Sequence, residues 1–357
     1  MTDVLYRATG LPVFQNHMYR TREDALAAPR GDVELVQDAV TGLVHNRAFR
    51  PELLVYGPDY QNEQAVSGAF RAHLDDVSAI VGRHLRGRSI LEVGCGKGYF
   101  LERLASAGFS VRGVDPAYEG DSSDIVKARF TADLGLRADG IVLRHVLEHI
   151  QAPHAFLAGI RDANGGRGTV YIEVPCLDWI CTNRAWFDVF YEHVNYFRLQ
   201  DFTSLFGTVH EAGRIFGGQY LYVVADLATL RTPRFDPGEN FAFPTDFLAT
   251  VAHHAALFPR QGDAPGAIVW GGASKGLIYS LFVERAGGKI DRVVDINPAK
   301  QGRYLGATGL RVDAPDEALR AAPPGTAIVV MNANYLPEIR QATHNRFRYL
   351  TVNHEDV

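Results

Sequence analysis

Three short stretches of this chain have residue types and spacings that could do chemistry. In the first, an acid precedes three alternating glycines, Glu92-Val93-Gly94-Cys95-Gly96-Lys97-Gly98. Glycine lets such a turn adopt positive φ and lets a ligand approach with no Cβ in the way. The second is Arg144-His145-Val146-Leu147-Glu148-His149, and the third is Phe190-Tyr191-Glu192-His193. An imidazole has an ordinary pKa of about 6.5, so His145, His149 and His193 could exchange a proton near neutrality. Glu192, if buried, could orient a histidine or act as a base with a raised pKa. The plain alternative for Glu148-His149 and Glu192-His193 is a surface polar pair or a helix cap. His154, directly after Pro153, reads as solvated.

The surrounding elements must bring these stretches together. An apolar run, Ser89–Val93, reads as a buried strand, and Phe100, Leu101 and Leu104 lie on one face of a following helix. A second strand, Ser110–Val114, leads to Asp115-Pro116, so Asp115 sits at a strand tip, where a carboxylate can accept from ribose hydroxyls. Strands at Gly140–Leu143, Thr169–Glu173 and Tyr220–Ala225 extend the sheet. The histidine clusters follow the third and fourth strands, so both face the crevice at the carboxyl ends where ligands bind. Nicotinamide and flavin proteins use related glycine turns. The acid before the turn and the spacing G-x-G-x-G resemble motif I of class I S-adenosylmethionine-dependent methyltransferases. That resemblance implies S-adenosylmethionine at Glu92, Gly94, Cys95, Gly96, Gly98, Asp115, Pro116 and Arg144. Cys95 reads as a small residue that fits the turn rather than as a nucleophile.

At 357 residues the chain is long enough for two or three domains. A net charge of −5 gives no sign of a nucleic-acid or anionic-membrane partner. No apolar run is long enough to span a bilayer, and Met1 to Thr9 lack the core of a signal peptide. The three cysteines form no C-x-x-C pair, and a cytoplasmic location is expected.

Residues 1 to about 70 read as irregular, followed by a helix from about Val66 to His84. Thr232-Pro233-Arg234-Phe235-Asp236-Pro237, with Pro244, reads as a linker. Beyond it, Ala267–Trp270 opens a second strand–glycine–helix unit through Gly271-Gly272-Ala273-Ser274-Lys275-Gly276. A strand ending at Asp295 and a last strand, Thr326 to Met331, complete it. Lys275 could meet a phosphate or carboxylate, or simply be solvated.

Val269-Trp270-Gly271-Gly272-Ala273-Ser274-Lys275-Gly276 and Val294-Asp295-Ile296-Asn297-Pro298-Ala299-Lys300-Gln301-Gly302-Arg303 resemble two signatures of the sugar 3-C-methyltransferases of deoxysugar pathways. In that family the first domain holds zinc in two C-x-x-C pairs. Here Tyr6, Thr9, Asp38 and Thr41 fall in the four slots, so no zinc is expected. The resemblance implies that His149, Glu192 and His193 abstract a proton next to a ketone and stabilise an enolate. The family tyrosine falls on Phe190, with Tyr191 one place later. In the segment Phe216 to Leu221, the family's histidine, serine and arginine have become Phe216, Gln219 and Leu221. Leu221 cannot bind a phosphate or sugar oxygen.

The expected fold is α/β: a Rossmann-like doubly wound sheet binding S-adenosylmethionine, a small irregular N-terminal domain and a smaller α/β C-terminal domain. The expected boundaries are 1–70, 71–228 and 229–357. The expected catalytic residues are His149, His193, Glu192, Tyr191 and His145, with no metal. The expected activity is C-methylation of a small molecule, a nucleotide-linked sugar for instance, beside a ketone. O- or N-methylation of another natural-product scaffold is a rival. A silent binding module is a second rival, and a nicotinamide oxidoreductase a third.

Overall fold

The structure, a computed structural model, describes residues 3–54, 60, 61, 63, 65–236, 240–261, 265–323 and 325–352. Its centre is a seven-stranded sheet. In spatial order the strands are Val209–Ile215, Tyr220–Asp226, Thr169–Pro175, Gly140–Arg144, Ser89–Val93, Ser110–Val114 and Ile125–Val126. The last five run parallel, and the first two are antiparallel additions. The parallel strands are covered on both faces, so Leu91, Val93, Ile141, Val142, Leu143, Val170 and Ile172 are all buried. All five strands expected from the sequence are present. Val209–Ile215, whose residues are half-buried or exposed, lacks the apolar run that would have marked it.

The expected helix runs Gly68–Leu85, and the Ser67 hydroxyl caps it by accepting from the Phe70 amide. Phe70, Leu74, Val77, Ile80 and Val81 form its buried face. This helix crosses residue 70, where the sequence placed a boundary.

Residues 4–46 are not irregular, which corrects the sequence reading. Val4–Pro12, Arg30–Gln37 and Val44–Asn46 form an antiparallel sheet, completed by Asn195–Tyr196 from the aromatic stretch. Two register shifts break the alternation in Val4–Pro12, which hides its period of two. In the would-be zinc frame, Asp38 accepts from the Val40 amide and from the Thr41 amide and hydroxyl at 2.7–3.0 Å. Hydrogen bonds therefore close that turn. The stretch read as a linker lies along this sheet: the Phe235 amide donates to the Val40 carbonyl and the Phe241 amide to the Gln37 side chain. Pro237 lies outside the described residues.

The C-terminal unit is a five-stranded parallel sheet, ordered Val312–Asp313, Ile290–Val294, Ala267–Trp270, Ala327–Val330 and Arg348–Thr351. The strand expected to be last is therefore not the last. Arg348–Thr351 has no fully buried residue, and so no apolar run announces it. The aromatic stretch joins the units: Trp186 is wholly buried and stacks on Tyr279 of the C-terminal helix Lys275–Arg285. Among the described residues, no helix is long and apolar enough to cross a membrane.

Gly31 shows how tightly the N-terminal sheet meets that stretch. A Cβ there would lie 2.1 Å from the ring of Tyr191. Gly31→Ala is expected to cost about 1–3 kcal/mol, seen as a lower denaturation midpoint.

Candidate functional site

The carboxyl ends of both parallel sheets open on one cleft of about 1080 Å³. Glu92, Gly94, Cys95, Gly96, Asp115 and Pro116 line one end. Arg144, His145, Glu148, His149 and His193 line its middle. Lys275, Asp295 and Lys300 face it from the C-terminal unit. Gly98 is not in the wall; it starts the helix Tyr99–Ser106 at φ +83, where a Cβ would meet Ile125 at 2.6 Å.

The glycine turn fits an adenosyl ligand. Asp115 follows strand Ser110–Val114 and its carboxylate accepts from the Gly96 amide at 2.8 Å and the Ala117 amide at 2.7 Å. These bonds fix the carboxylate at the strand tip and leave it lone pairs for hydroxyl donors. Gly96 has φ +55 and nothing within 4 Å of where a Cβ would be, so the backbone faces open space. Glu92 is buried, and its Oε2 has no hydrogen-bond donor among the described residues. Burial pushes this carboxyl up to about 7; Arg144 opposes the rise, and Asp115 and Glu173 add to it.

Behind the cleft floor lies a buried hub at Glu173, the last acid of strand Thr169–Pro175. Its carboxylate accepts from Arg144 at 3.2 and 3.4 Å and from the Tyr171 hydroxyl at 2.8 Å. His73 Nε2, on the helix Gly68–Leu85, is 2.9 Å away, and His145 Nε2 is 3.1 Å away. Burial alone would raise the Glu173 carboxyl; Arg144, His145 and His73 overcome it and hold it well below the carboxylate range. Burial likewise works against the His145 imidazolium, but Glu148 and Glu173 bring its pKa up to about 9. His145 has φ +53, a left-handed backbone that a non-glycine residue adopts only when its surroundings hold it there.

The two remaining histidines differ. His149 and His193 meet edge to face, with ring centroids 4.9 Å apart. His149 Nδ1 lies 3.1 Å from the Glu192 carbonyl, which assigns its proton to that nitrogen and the lone pair to Nε2. Burial first, then His149, His145 and Lys275, push the His193 pKa well below its ordinary value, so the ring is neutral.

Tyr191 is a correction to the sequence reading. Its hydroxyl accepts from the Arg50 amide at 2.8 Å and its ring packs on Phe49, so it faces the N-terminal sheet and not the cleft. Glu192 is wholly buried and also stands outside the cleft wall. Its carboxylate accepts from the Gln15 amide and from the Tyr60 hydroxyl, tying the N-terminal segment to the cleft floor. Successive residues point to different sides, and the side of the cleft falls to Phe190 and His193. Leu221 is wholly buried within the sheet's core, while Gln219 accepts from Lys275 at 2.7 Å. Lys275 also pairs with Asp188 at 2.8 Å.

Sequence reasoning named Glu148 within the second stretch but gave it no role in the chemistry, although its i,i+3 spacing from His145 was visible. It also passed over Gln15, Asn16 and Tyr60, which reach the cleft from the N-terminal segment and carried no local signal. Glu173→Gln would leave the Arg144 guanidinium buried without its counter-charge. The variant is expected to lose about 3–5 kcal/mol, read as a fall in unfolding midpoint.

Residues 65–212 match a family model described as a methyltransferase domain. The C-methyltransferase NovU of Streptomyces niveus is 26% identical over 292 residues, which cover 71% of this chain and 68% of that protein. Among solved structures, this chain is similar to the 1,6-didemethyltoxoflavin-N1-methyltransferase of Burkholderia thailandensis. The identity is 17% and the TM-score 0.33, over 53% of this chain and 96% of that one. A SAM-dependent methyltransferase from Archaeoglobus fulgidus shows 18% identity and a TM-score of 0.32, over 43% and 94%. The family match falls over the glycine turn, the strand-tip carboxylate and the histidine floor, so residues 65–212 of the chain form a methyltransferase domain.

Proposed function

We propose that the protein methylates a small molecule at a carbon next to a ketone, with an imidazole of the His149 and His193 pair receiving the proton that carbon loses. The observation that carries this reading is the placement of two imidazoles on the cleft floor, one presenting the Nε2 lone pair and the other buried. S-adenosylmethionine, when bound, supplies a methyl group on a cationic sulfur. Glu92, Gly94, Gly96 and Asp115 would hold it, with Arg144 behind them.

The chain's own residues do the rest. The Glu192 carbonyl fixes the tautomer and the plane of His149. The protonated His145, held between Glu148 and Glu173, offers positive charge where an enolate oxygen would develop. Phe190, Trp270 and Tyr335 line the cleft and limit water around the reacting carbon. The relative named as a C-methyltransferase supports carbon as the acceptor atom. The C-terminal signatures support a nucleotide-linked sugar as the acceptor class, in deoxysugar or other natural-product biosynthesis.

The carbon shift of the transferred methyl decides the acceptor atom: a C-methyl is expected, and an O- or N-methyl overturns the reading. His149→Ala or His193→Asn should lower turnover about 10²–10⁴-fold with affinity for S-adenosylmethionine unchanged. Undiminished turnover in both would remove the histidines from the chemistry. Asp115→Ala should weaken S-adenosylhomocysteine binding by at least about tenfold, or roughly 1.4 kcal/mol, in a calorimetric titration.

A further inference from the structure

Glu148 stands in the turn Leu147–His149, just after strand Gly140–Arg144, and its side chain is 1% exposed. Neither of its carboxylate oxygens takes a hydrogen bond from any described residue. The charged group beside it is His145, whose Nδ1 lies 3.3 Å away. His193 Nδ1 is also buried without a hydrogen-bond partner among the described residues, and its Nε2 faces the Gln15 side-chain nitrogen at 3.4 Å. His149 has its Nδ1 on the Glu192 carbonyl and its Nε2 lone pair available. One donor atom from each of the three residues lies within 4.8 Å of the other two. A buried carboxylate that takes no hydrogen bond is costly even beside the His145 imidazolium, and a cation ligated by it relieves that cost.

We propose that Glu148, His149 and His193 bind a divalent transition-metal cation of the zinc or manganese kind, with its open positions facing the acceptor. One carboxylate and two imidazoles are a donor set that such ions take, and three protein ligands leave room for an oxygen of the acceptor. With bonds of about 2.0–2.2 Å at the tetrahedral angle, two donors on one ion stand roughly 3.3–3.6 Å apart, so a pair at the 4.8 Å limit must close by roughly 1.2–1.5 Å. Side-chain rotation supplies that closure. The Glu192 carbonyl already provides the outer support that ligating histidines require, since it holds His149 by its other nitrogen. The proposal rests on the reading above in one respect, that the acceptor's carbonyl oxygen reaches this floor; there the ion would polarise that oxygen. As ligand and as proton acceptor, the same imidazole lone pairs have exclusive roles, and the experiment separates them.

The full-length protein, dialysed against a chelator, is titrated with Mn²⁺ and with Zn²⁺ by calorimetry, and Mn²⁺ uptake is followed by electron paramagnetic resonance. One ion per chain is expected. Glu148→Gln and His193→Asn should each weaken binding by at least about tenfold, as loss of even an outer partner does. His154→Ala should leave it unchanged, and thermal melts show that the variants fold. No uptake, or uptake indifferent to both Glu148→Gln and His193→Asn, overturns the proposal. Full turnover to a C-methyl product by the chelated protein overturns the cation and leaves the methyl-transfer reading standing. A bound ion lost in Glu148→Gln, in a protein that yields an O-methyl product, supports the site and overturns that reading.

Discussion

The interaction on which the site depends is the clustering of four side chains around the Glu173 carboxylate. Arg144 and His145 come from the end of one sheet strand, Tyr171 from the strand of Glu173 itself, and His73 from the helix packed across the sheet. A carboxylate taken fully out of water is tolerated only when donors surround it. Two of those donors, Arg144 and His145, are also residues that reach the cleft. The hub therefore sets where the Arg144 guanidinium lies beneath Glu92 and why His145 is held charged in a left-handed backbone. Packing of the methyltransferase sheet and the electrostatics of its ligand cleft are one problem with one solution.

A second carboxylate, Glu192, performs the corresponding task between units. It is buried outside the cleft wall and binds Gln15 and Tyr60, while its backbone carbonyl orients His149. The N-terminal sheet, closed by a strand from the aromatic stretch, thus acts on the chemistry through a staple rather than through a reacting group. This explains how the segment keeps its place without the thiolates of a zinc-binding domain. Tyr191 packs against its residues, Asp38 closes its turn, and the Phe235 and Phe241 amides donate to Val40 and Gln37.

The C-terminal unit shuts the third side. Lys275 is held by Asp188 and Gln219, and Lys300 by Asp295 at 3.0 Å, so both cations that face the cleft there are matched by the chain's own groups. Trp186 and Tyr279, stacked in the core behind Lys275, make the link between that unit and the aromatic stretch rigid. The cleft is consequently lined from the N-terminal segment, the central sheet and the C-terminal unit together.

The amino-acid sequence by itself determined what depends on local order. The five sheet strands, the glycine turn, the strand-tip position of Asp115 and the histidine clusters after the third and fourth strands all follow from apolar runs and glycine spacing, which neighbouring residues suffice to specify. Tertiary structure alone decided which side each polar residue faces. Tyr191 and Glu192 share a stretch with His193, yet only the histidine lines the cleft, because direction depends on what packs from residues 15, 31, 50 and 60. The edge strands Val209–Ile215 and Arg348–Thr351 were illegible for the same reason: half-exposed strands carry little apolar pattern and are fixed by their partners. Glu148 shows both halves of the lesson, since its spacing from His145 was readable but its burial beside the imidazoles of His149 and His193 exists only in three dimensions.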